Sequence, residues 1–65
     1  MPISKSTAKR ILIESGAKRV SSEAAESFAD HLNRLAYALA GKAVRLAKHA
    51  RRKTVEKDDI ELAKS

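Results

Sequence analysis

The apolar residues in the middle of this chain recur at spacings of three and four rather than in alternation. Such spacing keeps their side chains within one narrow stripe of an α-helix. Ser21 or Ser22 can cap the start of this helix, so the pattern predicts one long helix over about residues 22–50. The stripe consists of Phe28, Leu32, Leu35, Leu39, Ala43, Leu46 and Ala50.

Shorter helical stretches flank the long helix on both sides. The first begins near Ser4 or Ser6 and ends at Gly16, the residue best suited to a left-handed C-cap. A polar segment, residues 51–54, separates the long helix from a last short helix. The sequence therefore predicts an all-α fold in which a single domain, residues 1–65, contains a short, a long and a short helix.

The long helix exceeds what its own chain can cover. It would measure roughly 43 Å at 1.5 Å per residue, whereas a compact globule of 65 residues is about 28 Å across. The chain also has no cysteine with which to form a stabilising disulfide. We therefore predict that a second chain covers part of the stripe, with Phe28, Leu32, Leu35 and Leu39 in the dimer interface.

The charge balance points to an anionic partner. Fourteen Lys and Arg residues against eight Asp and Glu residues give a net charge of +6, which suits nucleic acid or an acidic membrane. With one Phe, one Tyr and no Trp, the chain has few aromatic platforms for stacking single-stranded bases. Duplex DNA is therefore the better target.

Catalytic and membrane functions find no support in the sequence. It contains no Ser-His-Asp or Cys-His pairing, no glycine-rich phosphate loop and no cluster of metal ligands. We expect a protein that is not an enzyme and that binds no cofactor and no small-molecule substrate. Because no apolar run approaches the ~20 residues that cross a bilayer, and the start lacks the apolar core of a signal peptide, we also expect a soluble, cytoplasmic protein without a membrane partner.

Four segments resemble those of a known family. They match the first loop, the late central helix, the second loop and the third helix of archaeal histones, and the similarity extends from about Arg10 to Ala63. The segments are GAKRVS at 16–21, AVRLAKHA at 43–50, RKTV at 52–55 and DDIELA at 58–63. On these motifs the chain is identified as a member of the histone-fold family.

The resemblance implies a handshake homodimer, in which two long helices cross antiparallel and the first loop of one chain lies beside the second loop of the other. It implies that the protein binds and compacts double-stranded DNA on the chromosome with little dependence on base sequence, through phosphates rather than bases. The paired first helices would add Lys5 to these contacts, and Arg19 would enter the minor groove. The expected DNA contacts are Lys9, Arg10, Lys18, Arg19, Arg51, Arg52, Lys53 and Thr54. For Lys9, an ordinary solvated lysine is the open alternative.

Two further roles follow from the resemblance. Arg52 is expected to form a structural ion pair with Asp59. A second interface, through which dimers join into tetramers or longer polymers on DNA, is assigned to Leu46, His49, Asp59 and Leu62, although His49 also fits an ordinary boundary histidine.

The chain departs from the family pattern at the end of the long helix. Arg51 stands where many relatives have a glycine, and an arginine resists the left-handed cap that glycine permits. We therefore expect the long helix to end differently here.

Alternative functions come from other classes. A histone-fold subunit that binds another protein and touches DNA little would carry acidic or apolar loops, whereas both loops here are basic. A cationic helix lying on a membrane would need more Trp, Phe and Leu. A plain coiled-coil segment fits poorly with the drift of the stripe and with the flanking short helices.

Overall fold

The computed structural model describes residues 2–65, which form three α-helices and no strand. Helix α1 spans Lys5–Glu14, α2 spans Ser22–His49 and α3 spans Lys57–Ala63. The order of short, long and short helices confirms the predicted all-α class. The chain divides into two compact units, of which the first ends at Arg34 and the second comprises Leu35–Ser65. That the whole chain is one domain stays a prediction.

Helix α1 is capped at both ends by its own neighbours in sequence. Ser4 is the N-cap, and its Oγ accepts a hydrogen bond from the Thr7 N–H at 3.1 Å. At the other end Gly16 adopts a φ of 119°. The N–H of Ala17 then donates to the carbonyl of Leu12 at 3.1 Å, which satisfies a carbonyl that the last turn of a helix otherwise leaves open.

A single side chain caps the start of α2. The Oγ of Ser21 accepts a hydrogen bond from the Ala24 N–H at 3.0 Å, so Ser21 rather than Ser22 is the capping residue. Glu23 lies in the first turn, where a carboxylate complements the positive end of the helix dipole.

The end of α2 differs from the expectation for Arg51. Arg51 has a φ of 60°, so it adopts the left-handed conformation that its side chain was expected to resist. Its N–H donates to the carbonyl of Lys48 at 2.9 Å, and the N–H of Arg52 donates to that of Ala47 at 2.9 Å. These bonds form a Schellman motif. They satisfy two helix-end carbonyls, and this gain outweighs the strain at Arg51.

Small side chains dominate the buried interior. In the first unit α1 contributes Ala8, which is 0% exposed, and α2 contributes Ala25 and Ala29. In the second unit the buried apolar residues are Ala43, Ala47 and Ala63. Among residues 2–65, no large side chain is fully buried. Because alanine has only a methyl group, the helices of each unit can pack closely.

Replacing Arg51 with glycine is expected to stabilise the fold. Glycine adopts the left-handed conformation without the clash that a Cβ causes, and relief of that clash is worth about 1 kcal/mol. Thermal unfolding followed by circular dichroism should therefore give a higher Tm for Arg51→Gly than for the original chain.

The matched control is Arg51→Ala, which removes the same charge but keeps the Cβ. Its Tm should stay close to that of the original chain. Equal melting of the two variants would contradict a strained backbone at this position.

Candidate nucleic-acid interface

The first basic segment joins α1 to α2. Lys18 and Arg19 lie in this loop, and both side chains are exposed. Lys9 and Arg10 are exposed on α1. All four are therefore accessible to a ligand as large as a DNA duplex.

A shallow depression opens beside the start of α2. Its volume is about 260 Å³. The Nζ of Lys5 donates a hydrogen bond to the Oγ of Ser22 in its wall, across 17 positions of sequence. The other lining residues are Ser6, Lys9, Val20, Ser21 and Ala25. Ammonium and hydroxyl groups are suitable donors to phosphate oxygens.

The second basic segment follows α2 and is held by an ion pair. The guanidinium of Arg52 donates two hydrogen bonds of 2.8 Å, one to each carboxylate oxygen of Asp59. Arg52 Nη1 also donates to the carbonyl of Thr54 at 3.0 Å. The loop between α2 and α3 is therefore closed by one guanidinium that binds both its own backbone and the first turn of α3.

Asp59 is the centre of this arrangement. It is only 5% exposed, and it accepts a third hydrogen bond from the Glu56 N–H at 2.8 Å, which fixes the start of α3. The hydrogen bonds from Arg52 and then from Glu56 lower the pKa of Asp59 to about 2, against the opposing effect of burial. The same pair raises the pKa of Arg52 above its usual range.

The other three predicted DNA contacts of this loop are more accessible than Arg52. Arg51, Lys53 and Thr54 are exposed, whereas the Arg52 side chain is one-third exposed and its Nη atoms already bind protein oxygens. The geometry therefore favours a structural role for Arg52.

The predicted interface residues are mostly accessible. Leu35 and Leu62 are exposed over 55% and 60% of their surface, while Phe28, Leu32, Leu39 and Leu46 are half-buried. His49 is exposed. Asp59 differs from these, because its buried carboxylate is already committed within the chain, so any part in a second interface runs through the position of α3.

Two contacts of the first unit were not predicted from the sequence. One is the hydrogen bond between Lys5 and Ser22, and the other joins the buried side chain of Asn33 to the backbone of Ile3. A signal for Asn33 existed, because it continues the row of Ala25 and Ala29 at a spacing of four. A polar residue in a row of small buried ones needs a hydrogen-bond partner inside the protein.

Within the part of the chain that the structure describes, no helix is long and apolar enough to cross a membrane. Over the same residues, no group of three His, Asp or Glu side chains is placed to hold a metal ion.

Comparison with known proteins agrees with the fold. The sequence profile described as histone-like transcription factor (CBF/NF-Y) and archaeal histone matches residues 1–63. This chain belongs to that family. It is 50% identical to the probable archaeal histone 3 of Methanocaldococcus jannaschii over an aligned segment of 54 residues. This segment covers 83% of this chain and 81% of that protein. The chain is 43% identical over 54 residues, with the same coverage, to one subunit of the archaeal histone HAN1 from Thermococcus zilligii.

Membership of the histone family confirms the predicted resemblance and the broad function. Archaeal histones are DNA-binding chromatin proteins that associate with one another and with the chromosome. The family packages DNA structurally and is not enzymatic, which confirms that expectation as well.

The ion pair predicts how this histone responds to acid. The folded-state pKa of Asp59, about 2, lies below the unfolded value of about 3.9. The pair therefore stabilises the fold above pH 4, and its contribution is lost as the pH falls from about 4 to about 2. Asp59→Asn should lower the Tm at pH 7, and the difference from the original chain should narrow across that window.

Asp58→Asn is the control, since it removes a carboxylate from an exposed neighbouring position. Its Tm difference should be small at pH 7. If Asp59→Asn showed the same difference at pH 2.5 as at pH 7, the ion pair would not be the source of the stability.

Proposed function

We propose that this histone forms a homodimer that binds and compacts double-stranded DNA without reading its sequence, in the cytoplasm on the chromosome. The observation that carries the proposal is the exposure of basic side chains on both loops that flank α2 in the chain. In addition, capping hydrogen bonds and the Arg52–Asp59 pair hold the backbone of these loops. Fixed backbone positions let cations meet phosphates at set spacings with little loss of conformational entropy on binding.

Burial along α2 supports a dimer. The buried side of α2 carries alanines, while the leucines further round the helix stay half-buried or exposed. Leu35 and Leu39 line an open groove of about 380 Å³ together with Ala38, Lys42, Ala63 and Lys64. A second copy of α2 is the proposed occupant, because the same apolar edge on each chain can pair about a two-fold axis.

The proposed DNA contacts fall into two groups. In the dimer, Lys18 and Arg19 of one chain would lie beside Lys53 and Thr54 of the other, with Arg51 at the edge of the same patch. The α1 helices would present Lys9 and Arg10 between these patches. Phosphate capture of this kind releases counterions and carries no base information, so affinity should depend on salt and little on sequence.

The proposal also includes further assembly of dimers on DNA. Leu62 is a large apolar residue left exposed on α3, and His49 is exposed at the end of α2. Leu46 is half-buried on the same helix. We assign dimer–dimer contacts to these residues, with Asp59 holding α3 in place, so that compaction grows as dimers join along the duplex.

Titration onto unrelated duplexes tests the DNA-binding proposal. The original chain should bind duplexes of about 60 to 150 bp with similar affinities, and log K should fall with log salt by about 0.9 for each phosphate neutralised. Arg19→Ala should weaken binding to all duplexes alike, with a Tm nearly unchanged. Growth of the nuclease-protected length with added protein reports dimer–dimer assembly.

Arg34→Ala is the control for charge alone, since Arg34 is an exposed arginine of α2 outside both loops. Its effect should be smaller than that of Arg19→Ala. Binding that is independent of salt, or limited to one sequence, would overturn the proposal, and unfolding of Arg19→Ala would reject Arg19 as a DNA contact.

A second measurement tests the dimer through two exposed residues of the same helix. Leu35 is 55% exposed and Tyr37 is 62% exposed, but two positions along a helix turn the side chains about 200° apart. Leu35→Glu should abolish the dimer and, with it, much of the helical signal, because a carboxylate would enter an apolar interface.

Tyr37→Glu introduces the same charge on the opposite side of α2 and should leave the dimer intact. Sedimentation equilibrium gives the mass and circular dichroism the helix content. A dimer that survived Leu35→Glu would place the interface elsewhere.

A further inference from the structure

Asn33 holds the segment that leads into α1. Its Oδ1 accepts a hydrogen bond from the Ile3 N–H at 3.0 Å, and its Nδ2 donates one to the Ile3 carbonyl at 3.0 Å. The two residues are 30 positions apart, and Asn33 is only 4% exposed. One side chain of α2 therefore satisfies both backbone polar groups of a single residue, in the way that a neighbouring β-strand would.

The chemistry of this contact is specific to a primary amide. An amide carries a donor and an acceptor in one plane, whereas an ionised carboxylate only accepts and an alanine does neither. Because the site is partly buried, losing the side chain would leave the N–H and the carbonyl of Ile3 without a partner of fixed position.

The contact fixes the first turn of α1. Ile3 directly precedes the N-cap Ser4, whose Oγ accepts from the Thr7 N–H at 3.1 Å. One residue further, Lys5 reaches the Oγ of Ser22. Without the amide contact, the segment before Ser4 would lose its tie to α2, and the first turn would be free to fray.

The start of α1 carries part of the basic surface. Lys5 and Lys9 are one helical turn apart and line the depression beside the start of α2. Their reach toward a phosphate depends on where the start of α1 lies. Asn33 itself is buried, so it can affect DNA only through these lysines.

We propose that Asn33 is a positioning residue for DNA binding, which holds Ile3 and thereby sets the place at which Lys5 and Lys9 meet the duplex backbone. The proposal rests on the proposed function. This role differs from a general contribution to folding, because loss of the Asn33 side chain removes phosphate contacts near α1 and leaves the dimer and both loops in place.

The salt dependence of binding measures that difference. Asn33→Ala should bind a duplex of about 60 bp roughly tenfold more weakly at low salt, and its log K against log salt should be less steep by about 0.9 for each phosphate that the variant no longer neutralises. Its mass by sedimentation should remain that of a dimer. Hydrogen exchange should be faster at the Ile3 N–H and at the Ala8 N–H, which closes the first turn of α1 by donating to the Ser4 carbonyl. The Ala25 N–H at the start of α2, which donates to the Ser21 carbonyl, should stay protected.

Asn33→Asp adds a test by pH. At pH 7.5 the introduced carboxylate faces the Ile3 carbonyl and cannot donate, so binding should be weak. Burial and that facing carbonyl raise the pKa of the introduced group. At about pH 5 a protonated carboxyl again offers one donor and one acceptor, so affinity relative to the original chain at the same pH should recover. Lys5, Glu26 and Asp30 line the neighbouring surface beside Ile3 and are the same in both proteins.

Arg34→Gln is the matched control, because it changes the net charge by the same amount at the next residue. Its affinity relative to the original chain should show no such recovery. An unchanged salt slope in Asn33→Ala, or no recovery of Asn33→Asp at low pH, would overturn the role of Asn33. Absence of salt-dependent binding by the original chain would instead overturn the proposed function.

Discussion

The contrast between small and large apolar residues on α2 is the constraint on which the rest of the structure depends. Alanines at spacings of four let the short helix of each unit lie close to α2, and these alanines are the buried apolar residues of α2. The leucines further round the helix are left for another surface. The alanines therefore stabilise the fold within the chain, and in the proposed dimer the leucines form the contacts between chains. In the proposed dimer, folding within a chain and association between chains therefore use different residues of the same helix.

The loops beside α2 show how a small helical protein can present charge on defined backbone. Each loop begins with a left-handed residue, Gly16 or Arg51, that closes the preceding helix with two hydrogen bonds. The second loop is further held by Arg52, whose guanidinium binds the Asp59 carboxylate and the Thr54 carbonyl. Neighbouring basic residues in one sequence motif thus have different tasks: Arg52 holds the loop, and Lys53 extends from it.

Sequence periodicity predicted the helices well because it depends on local geometry. The long stripe placed α2 within one or two residues, and Gly16 marked the end of α1. The choice between Ser21 and Ser22 could not be made from sequence, since both are good caps and only the hydrogen bond at Ala24 distinguishes them. The conformation of Arg51 does not follow from its residue type, because two helix-end hydrogen bonds oppose the side-chain preference. The row of small residues indicates that Asn33 needs a hydrogen-bond partner inside the protein. Sequence cannot identify that partner, because it is the backbone of Ile3, 30 positions away.

The backbone at Arg51 has a consequence for the conditions in which this protein works. Its left-handed strain does not depend on ionic strength, because it arises from a steric clash of the Cβ. The attraction of its guanidinium to a duplex in the proposed complex is screened as salt rises. In the proposed complex, the Arg51 side chain therefore contributes most to DNA binding at low salt, whereas a glycine would make no such contribution at any salt concentration. The residue that closes α2 thus has a cost to the fold that is constant with salt and a proposed benefit to DNA binding that decreases with salt.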